Sequence, residues 1–468
     1  MKPTEGAQQN VSDLKASKEE RYNFGKSLRK DCPRSSHAEI FEDNRTNPLD
    51  IHTEHTKGRI KALLPIYFER MLESPFAYYR GTAAIMATDL ATQKSTGLNV
   101  QACGDCHLLN FGGFATPERR IIFDINDFDE TTKAPWEWDV KRLAASFAIA
   151  AKWKGFSEKK CEAAVRAVVD SYVLNIAKYS NMSALEVWYS SIDYEVLINS
   201  GSDTDMKRFH MKRLEKAMEN TPHEKEFKEL TFEKDGAFRI IDNPPLLFHV
   251  NENEETAFLE QIKNAFERYL ETINSDRRLL LSQYKIKDAA MKVVGVGSVG
   301  TWCGIILLMS DTGDPLFLQF KEAHQSVLEQ HIGKSDFESH GQRVVEGQKV
   351  MQAASDIFLG WTTSDTGRDY YIRQLRDAKI KPVLEVMDHK NFISYAATCG
   401  WALAQAHART GDAAAISGYI GKSKVFEKAI LKFAVTYEKI NKQDYDKLHE
   451  AIKDKTLVID IPNYIGTL

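Results

Sequence analysis

Two neighbouring stretches decide how this chain is read: Gly104-Asp105-Cys106-His107-Leu108-Leu109-Asn110 and Phe123-Asp124-Ile125-Asn126-Asp127-Phe128-Asp129-Glu130. Between them, Phe111 to Ala115, a Thr116-Pro117-Glu118-Arg119 break and the apolar run Ile121-Ile122-Phe123 predict a β-hairpin that holds the two acidic clusters close together. An Asp, an Asn five residues on and a carboxylate cluster on the next strand are the groups phosphoryl transfer uses. One carboxylate orients the attacking hydroxyl, while an amide oxygen and a second carboxylate hold magnesium on nucleotide phosphates. The same residues taken singly also suit turns and a solvated strand end.

Working outward, Trp136-Glu137-Trp138-Asp139 opens a helix that is apolar nearly all round to Ala151, hence a core helix. Asp139 is either its N-terminal cap or a brace for the acidic loop. Upstream, Ile60 to Glu73 and Phe76 to Leu90 show helical spacing, and Arg80 on the aromatic-rich start of the second either reaches a phosphate or covers aromatic faces. Ser157 to Lys178 repeats the helical pattern. Residues 181–274 read as a charged helical region with no recognisable chemistry, broken by Asp242-Asn243-Pro244-Pro245.

A second informative block starts at Lys292. Gly295, Gly297 and Gly300 form G-x-G-x-x-G, but the glycines lead into a strand from Trp302 to Met309, a turn, and a third strand from Leu316 to Phe320 ending on Lys321. A dinucleotide fingerprint would open a helix instead. A glycine turn between strands with a lysine on the next one is the phosphate grip of kinases. Residues 341–354 predict a helix carrying Glu346, the expected partner of Lys321, with Glu329 as second choice. Strands at Ile357–Trp361 and Tyr370–Leu375 and helices at Ile393–Ala408 and Lys422–Ile452 complete the pattern.

Composition sets bounds. The 468 residues are 43% hydrophobic and 27% charged, with a formal net charge of −4, so no global basic field favours nucleic acid or an anionic membrane. The longest strongly apolar run, Ile305 to Met309, is too short to span a bilayer, and the polar start reads as cytoplasmic. Cys103-Gly104-Asp105-Cys106-His107 matches C-x-x-C-H, but haem attachment would require export, for which no signal is visible, and a thioredoxin-type motif should lead into a helix where this one leads into an extended segment.

With both blocks located, the chain resembles the uncharacterised bacterial family known as domain of unknown function 2252. The likeness rests on Ser74-Pro75-Phe76-Ala77-Tyr78-Tyr79-Arg80-Gly81, on the two acidic stretches, on Trp136-Glu137-Trp138-Asp139 and on Ala406-His407-Ala408-Arg409. More remotely, its parts resemble aminoglycoside-phosphotransferase-like kinases, whose catalytic loop reads H-G-D-x-H-x-x-N. That resemblance implies ATP and Mg2+ as cofactors, Asp105 with His107 in the catalytic loop, and Lys321 paired with Glu346. It further implies Asn110, Asp127 and Asp129 at the metal, and Gly295, Gly297 and Gly300 around the phosphates. Ala102-Cys103 stands where those kinases have a histidine, and Asp412 either touches substrate or ends a helix. In those enzymes the glycine-rich lobe comes first, so the order here implies a circular permutation.

The expected architecture is α+β, a two-lobed protein-kinase-like fold with permuted lobe order. It comprises an N-terminal arm (1–55), a helical lobe with the catalytic loop (56–290), a β-rich nucleotide lobe (291–385) and C-terminal helices (386–468). The expected activity is transfer of phosphate from ATP to a small-molecule or protein hydroxyl. Nucleotidyl transfer, a non-catalytic nucleotide-binding module, a hydrolase built on Asp124, Asp127 and Asp129 with a metal, and a helical interaction protein are the alternatives.

Overall fold

The computed structural model describes residues 14–200, 204–219, 227–234, 236–250, 252–375, 378–454 and 456–457. It is an α+β protein with several antiparallel sheets. The helix Trp136–Trp153 is buried along its length from Trp136 to Ala151, as its all-round apolar pattern requires. Around it lie Glu158–Tyr179, His389–Thr410 and Val425–Lys453. Gly400 sets the closest approach between two of these, because a Cβ there would stand 2.2 Å from the Val168 carbonyl oxygen. Trp136 stacks on Tyr172 with ring centroids 5.7 Å apart.

The largest sheet has six antiparallel strands in the order Gly360–Thr363, Asp369–Gln374, Pro315–Glu322, Cys303–Ser310, Tyr284–Lys292, Leu247–Phe248. Its last two members begin before residue 291, so the sheet draws on more of the chain than the glycine block alone indicates. Strands also appear at Thr231–Lys234 and Ala237–Ile240, inside the region read as helical. The helix His340–Met351 packs beside the sheet. Residues 14–55 form an arm laid over the helices. Arg45 bridges Asp89 at 2.9 Å and Asp444 at 2.7 Å, and Arg21 bonds Asp412 at 2.9 Å. Asp412 also accepts from the amides of Ala414 and Ala415, so it caps the helix Ala413–Ile420.

Two short ladders position the acidic stretches. Asn99–Ala102 pairs antiparallel with Thr132–Pro135, and Phe111–Ala115 pairs with Ile121–Ile125 as a hairpin. Residues 103–110 and 126–131 each run from one ladder to the other, so both segments are fixed at both ends and forced side by side. Gly104 makes the contact possible: its φ is +83°, and a Cβ would lie 2.3 Å from the Glu130 carbonyl oxygen. Among the described residues, no helix is long and apolar enough to cross a membrane.

Candidate active site

The loop 103–110 hangs on Asp139. Its Oδ2 accepts from the Cys103 amide at 2.6 Å and its Oδ1 from the Gly104 amide at 3.0 Å. The helix that carries Asp139 begins after Pro135 with no side-chain cap, so the brace, not the cap, is its role. His407 joins it with Nε2 3.2 Å from Asp139 Oδ2, and Tyr172 lies 2.9 Å from His407 Nδ1. A carboxylate only accepts, so the Nε2 that faces Asp139 is the donor of that bond. The Ala406-His407 motif and the Trp138-Asp139 motif thus converge on one loop.

Within that loop, Asp105 is held by Arg142, whose Nε and Nη2 stand 2.7 and 2.6 Å from Oδ1. Arg142 also bonds the Tyr79 carbonyl at 3.0 Å and lies over the Tyr79 ring. Burial pushes the Asp105 carboxyl above its ordinary value, against the pull of Arg142 and Arg80. His107 is buried with its Nε2 3.8 Å from Asp105 Oδ2. Burial, then Arg80 and Arg142, hold it well below the usual histidine range, so it is neutral at pH 7. Asn110 Nδ2 donates to the Asp105 carbonyl at 2.8 Å, which leaves its Oδ1 without a donor among the described residues. Arg80 adds a guanidinium in the fields of Asp105 and Asp127, with a buried Nε that has no hydrogen-bond partner among the described residues.

The two sequence blocks meet at Lys321. Its Nζ is 2.5 Å from Asp129 Oδ2, and Tyr371 donates to Asp129 Oδ1 at 2.6 Å. Burial works to raise the Asp129 carboxyl, but Lys321 and the two hydrogen bonds outweigh it and hold it down. The carboxylate of Asp127, two residues earlier, accepts among the described residues only from the Asp129 amide at 3.4 Å, and burial followed by the Asp129 charge raises it. The expected pairing of Lys321 with Glu346 is absent. Glu346 bonds Lys349 at 3.1 Å on the half-exposed side of its helix. The inner side of that helix presents Arg343, whose guanidinium donates to the carbonyls of Asp129 at 2.9 Å and Thr131 at 2.5 Å. Glu329 does not reach Lys321 either; its Oε1 is 3.3 Å from Arg343 Nε. Asp124 stands apart from Asp127 and Asp129, because its oxygens accept from the amides of Ile125 at 2.8 Å and Ala353 at 2.9 Å. A three-carboxylate centre is therefore not assembled.

Gly295 and Gly300 adopt φ of +67° and +88°, which only glycine takes readily. Their loop is pinned through its carbonyls: Arg70 donates to Gly295, Arg59 to Val299, and the Ile60 amide to Gly300 at 2.7 Å. The amides of Gly295, Val296 and Gly297 meet no acceptor among the described residues. Gly297 faces the Arg80 carbonyl, at 3.5 Å from where a Cβ would sit, so the glycine loop abuts the residue that looks onto Asp105.

Cys103 and Cys106, like the other four cysteines, are buried and unpaired. Burial raises the Cys106 thiol well above its ordinary value, which suits a core residue and not a reactive one. Arg142, Tyr371, Arg373 and Arg343 belong to the site although no sequence motif marks them. Arg142 had one signal: a charge on a helix buried on every side must have a partner. No curated protein and no solved structure matches the chain. A family model described as "Uncharacterized protein conserved in bacteria (DUF2252)" matches residues 59–451, which take in both ladders, the acidic segments and the six-stranded sheet, and the chain belongs to that family.

Proposed function

We propose that this chain is a kinase-like phosphotransferase that takes magnesium-ATP as donor and a hydroxyl-bearing small molecule or protein as acceptor. The observation that carries the reading is the 2.5 Å contact between Lys321 and Asp129, which joins the lysine strand to the segment bearing Asp127. A second support is the succession of elements. A glycine-rich turn lies between the strands Tyr284–Lys292 and Cys303–Ser310, the lysine is on the next strand, and a helix precedes Gly360–Thr363 and Asp369–Gln374. That order parallels the phosphate-gripping lobe of kinases, and a circular permutation would account for its place after the acidic loop.

The residues fit the cofactor. Asn110 Oδ1 and the unpaired Asp127 carboxylate are hard oxygen donors of the kind magnesium prefers. Among the described residues no group of three His, Cys, Asp or Glu side chains could hold a metal, but a magnesium ion bound through one carboxylate, one amide and nucleotide phosphates needs none. When bound, magnesium neutralises phosphate charge. Lys321 would orient the phosphates, and the amides of Gly295, Val296 and Gly297, which meet no acceptor among the described residues, would donate hydrogen bonds to their oxygens. Arg80, whose guanidinium lies in the fields of Asp105 and Asp127, would add positive charge to the transferred group. Asp105 orients the acceptor hydroxyl and takes up its proton, a task its raised pKa favours.

The test is thermal unfolding with and without magnesium-ATP, wild type beside Asp127→Ala. Saturation at a hundredfold excess over the dissociation constant stabilises by about 2.7 kcal/mol. A shift in the wild type that requires magnesium and disappears in the variant supports the proposal. An unshifted wild type ends it, and binding without phosphate release or transfer in the presence of candidate acceptors reduces it to nucleotide binding.

A further inference from the structure

At the Leu247–Phe248 end of the six-stranded sheet, one histidine ties the edge strand to its neighbour. Leu247 pairs with Lys292 and Phe248 with Met291, so this two-residue strand lies along the last residues before the glycine turn. Val293, two positions before Gly295, donates its amide to the Leu246 carbonyl at 2.9 Å. The turn is thus anchored at its entrance by residues 246–248, as it is further on by Arg70, Arg59 and Ile60. A strand of two residues has little hold of its own, and the residue that follows it is His249. His249 Nδ1 lies 2.9 Å from Asp242 Oδ1, and Nε2 lies 3.1 Å from Asp288 Oδ2. The His249 amide donates to the same Asp242 oxygen at 2.7 Å, which closes the loop 242–249 on itself.

Carboxylates only accept, so both ring nitrogens are donors and the ring is an imidazolium. Asp288 stands beside a bulge in the strand Tyr284–Lys292, with its side chain 2% exposed. Its Oδ2 also accepts from the Ile240 amide at 2.7 Å and faces Arg239 Nε at 3.7 Å. Arg239 is itself paired with Glu255 on the helix Glu252–Leu270, and Lys292, opposite Leu247, lies on the same face of the sheet as Asp288. Burial works to lower His249, but Asp288 and then Asp242 outweigh it and raise the ring above its ordinary value. Loss of one proton turns a donor nitrogen into a lone pair aimed at a carboxylate oxygen, so the neutral ring cannot hold both carboxylates.

We propose that His249 is a protonation-operated latch on the glycine turn: its imidazolium binds the loop 242–249 to Asp288, and its neutral form releases the strand that anchors the entrance to the turn. The latch stands on its own geometry; that it governs a phosphate site rests on the phosphotransferase reading. Because its partners raise the ring, the latch is fully closed below about pH 6.5, where an unfolded histidine is charged as well, and it opens as pH rises through the higher value the ring has in the fold.

The test is hydrogen exchange read by mass spectrometry on the full chain, over a series from about pH 6 to about pH 8.5, in peptides covering residues 243–249 and 288–301. Wild type is compared with His249→Gln and with Asp242→Asn, a change at a carboxylate more than half exposed. Comparing proteins at the same pH removes the intrinsic base catalysis of exchange. At the acid end His249→Gln is expected to exchange about tenfold faster than the wild type in both peptides, and at the alkaline end the two are expected to coincide. Asp242→Asn keeps the ring but has one carboxylate fewer, so its protection is expected to be lost at lower pH than in the wild type. A ratio of His249→Gln to wild type that is the same at every pH, or an Asp242→Asn profile that does not move, overturns the proposal. Magnesium-ATP affinity is measured by calorimetry on wild type and His249→Gln at both ends of the series. Tighter binding by the wild type at the acid end alone is expected, and equal affinities at both ends overturn control of the site by the latch. Failure of magnesium-ATP to bind either protein, with exchange behaving as expected, sinks the phosphotransferase reading and leaves the latch standing.

Discussion

Asp139→Asn is the substitution most revealing of how the loop is held. It preserves shape and removes only charge and one acceptor. Both oxygens of Asp139 are in use, Oδ2 by the Cys103 amide and His407 and Oδ1 by the Gly104 amide. Whichever way an asparagine amide is turned, its NH2 group confronts a backbone N–H, and the side chain is only 2% exposed, so water cannot intervene. A hydrogen bond to a charged group contributes about 1.5–3 kcal/mol, and an orphaned buried donor loses about 1–3. One bond turned into a donor–donor contact and one weakened by loss of charge give a destabilisation of about 4 kcal/mol. The outermost link is much weaker: Tyr172→Phe removes one neutral bond to His407 and is expected to lose about 1 kcal/mol. Urea denaturation measures both. Because Cys103 and Gly104 lead directly into Asp105, the asparagine variant should also lose phosphoryl transfer out of proportion to any change in magnesium-ATP binding. A loss of under about 0.5 kcal/mol for Asp139→Asn, where surface changes fall, would show that the two amides are not both held by this carboxylate.

Two further outcomes are expected from the same geometry. Glu346→Ala should leave both stability and magnesium-ATP binding close to wild type, since an exposed i,i+3 pair contributes at most about 1 kcal/mol, whereas Lys321→Met should abolish the ligand-induced shift. Equal damage from both, measured by thermal unfolding with the nucleotide, would restore Glu346 as the partner of Lys321. Burial raises Asp124 to about 6, against the Ala353 and Ile125 amides and Arg409, while an unfolded aspartate sits near about 3.9. Between about pH 4 and 6 the folded state therefore holds a proton that the unfolded state has released, and stability falls as pH rises, by up to about 3 kcal/mol. Asp124→Asn should remove that slope; a variant with the wild-type slope in urea titrations refutes the assignment.

What the sequence disclosed and what it withheld divide by range. The hairpin is legible because alternation, a Pro-containing break and two acidic clusters lie close together in the chain, and the pairing of Phe111 with Ile125 is set by that spacing. Lys321 is legible as a strand-end lysine after a glycine turn. Its partner is not, because Asp129 and Lys321 are 192 residues apart and only the packing of sheet against hairpin brings them together. Helical periodicity showed that one side of 341–354 meets the sheet, but Glu346 falls off that side and Arg343 falls on it. The strands at Leu247–Phe248 and Ala237–Ile240 are hidden by brevity and by the charged residues and prolines around them, which weaken any period-two signal.

The same division explains why the cations of the site were the harder half to see. Carboxylates and amides that act together can be neighbours in one loop, so their grouping is written in the sequence. The opposing charges come from helix Trp136–Trp153 and from the strands that carry Lys321 and Arg373. Burying Asp105, Asp127 and Asp129 without such charges would be prohibitive. A carboxylate cluster beside near-continuous apolar runs therefore already requires cations from elsewhere, and an arginine such as Arg142 on a helix buried on every side is the first place to look.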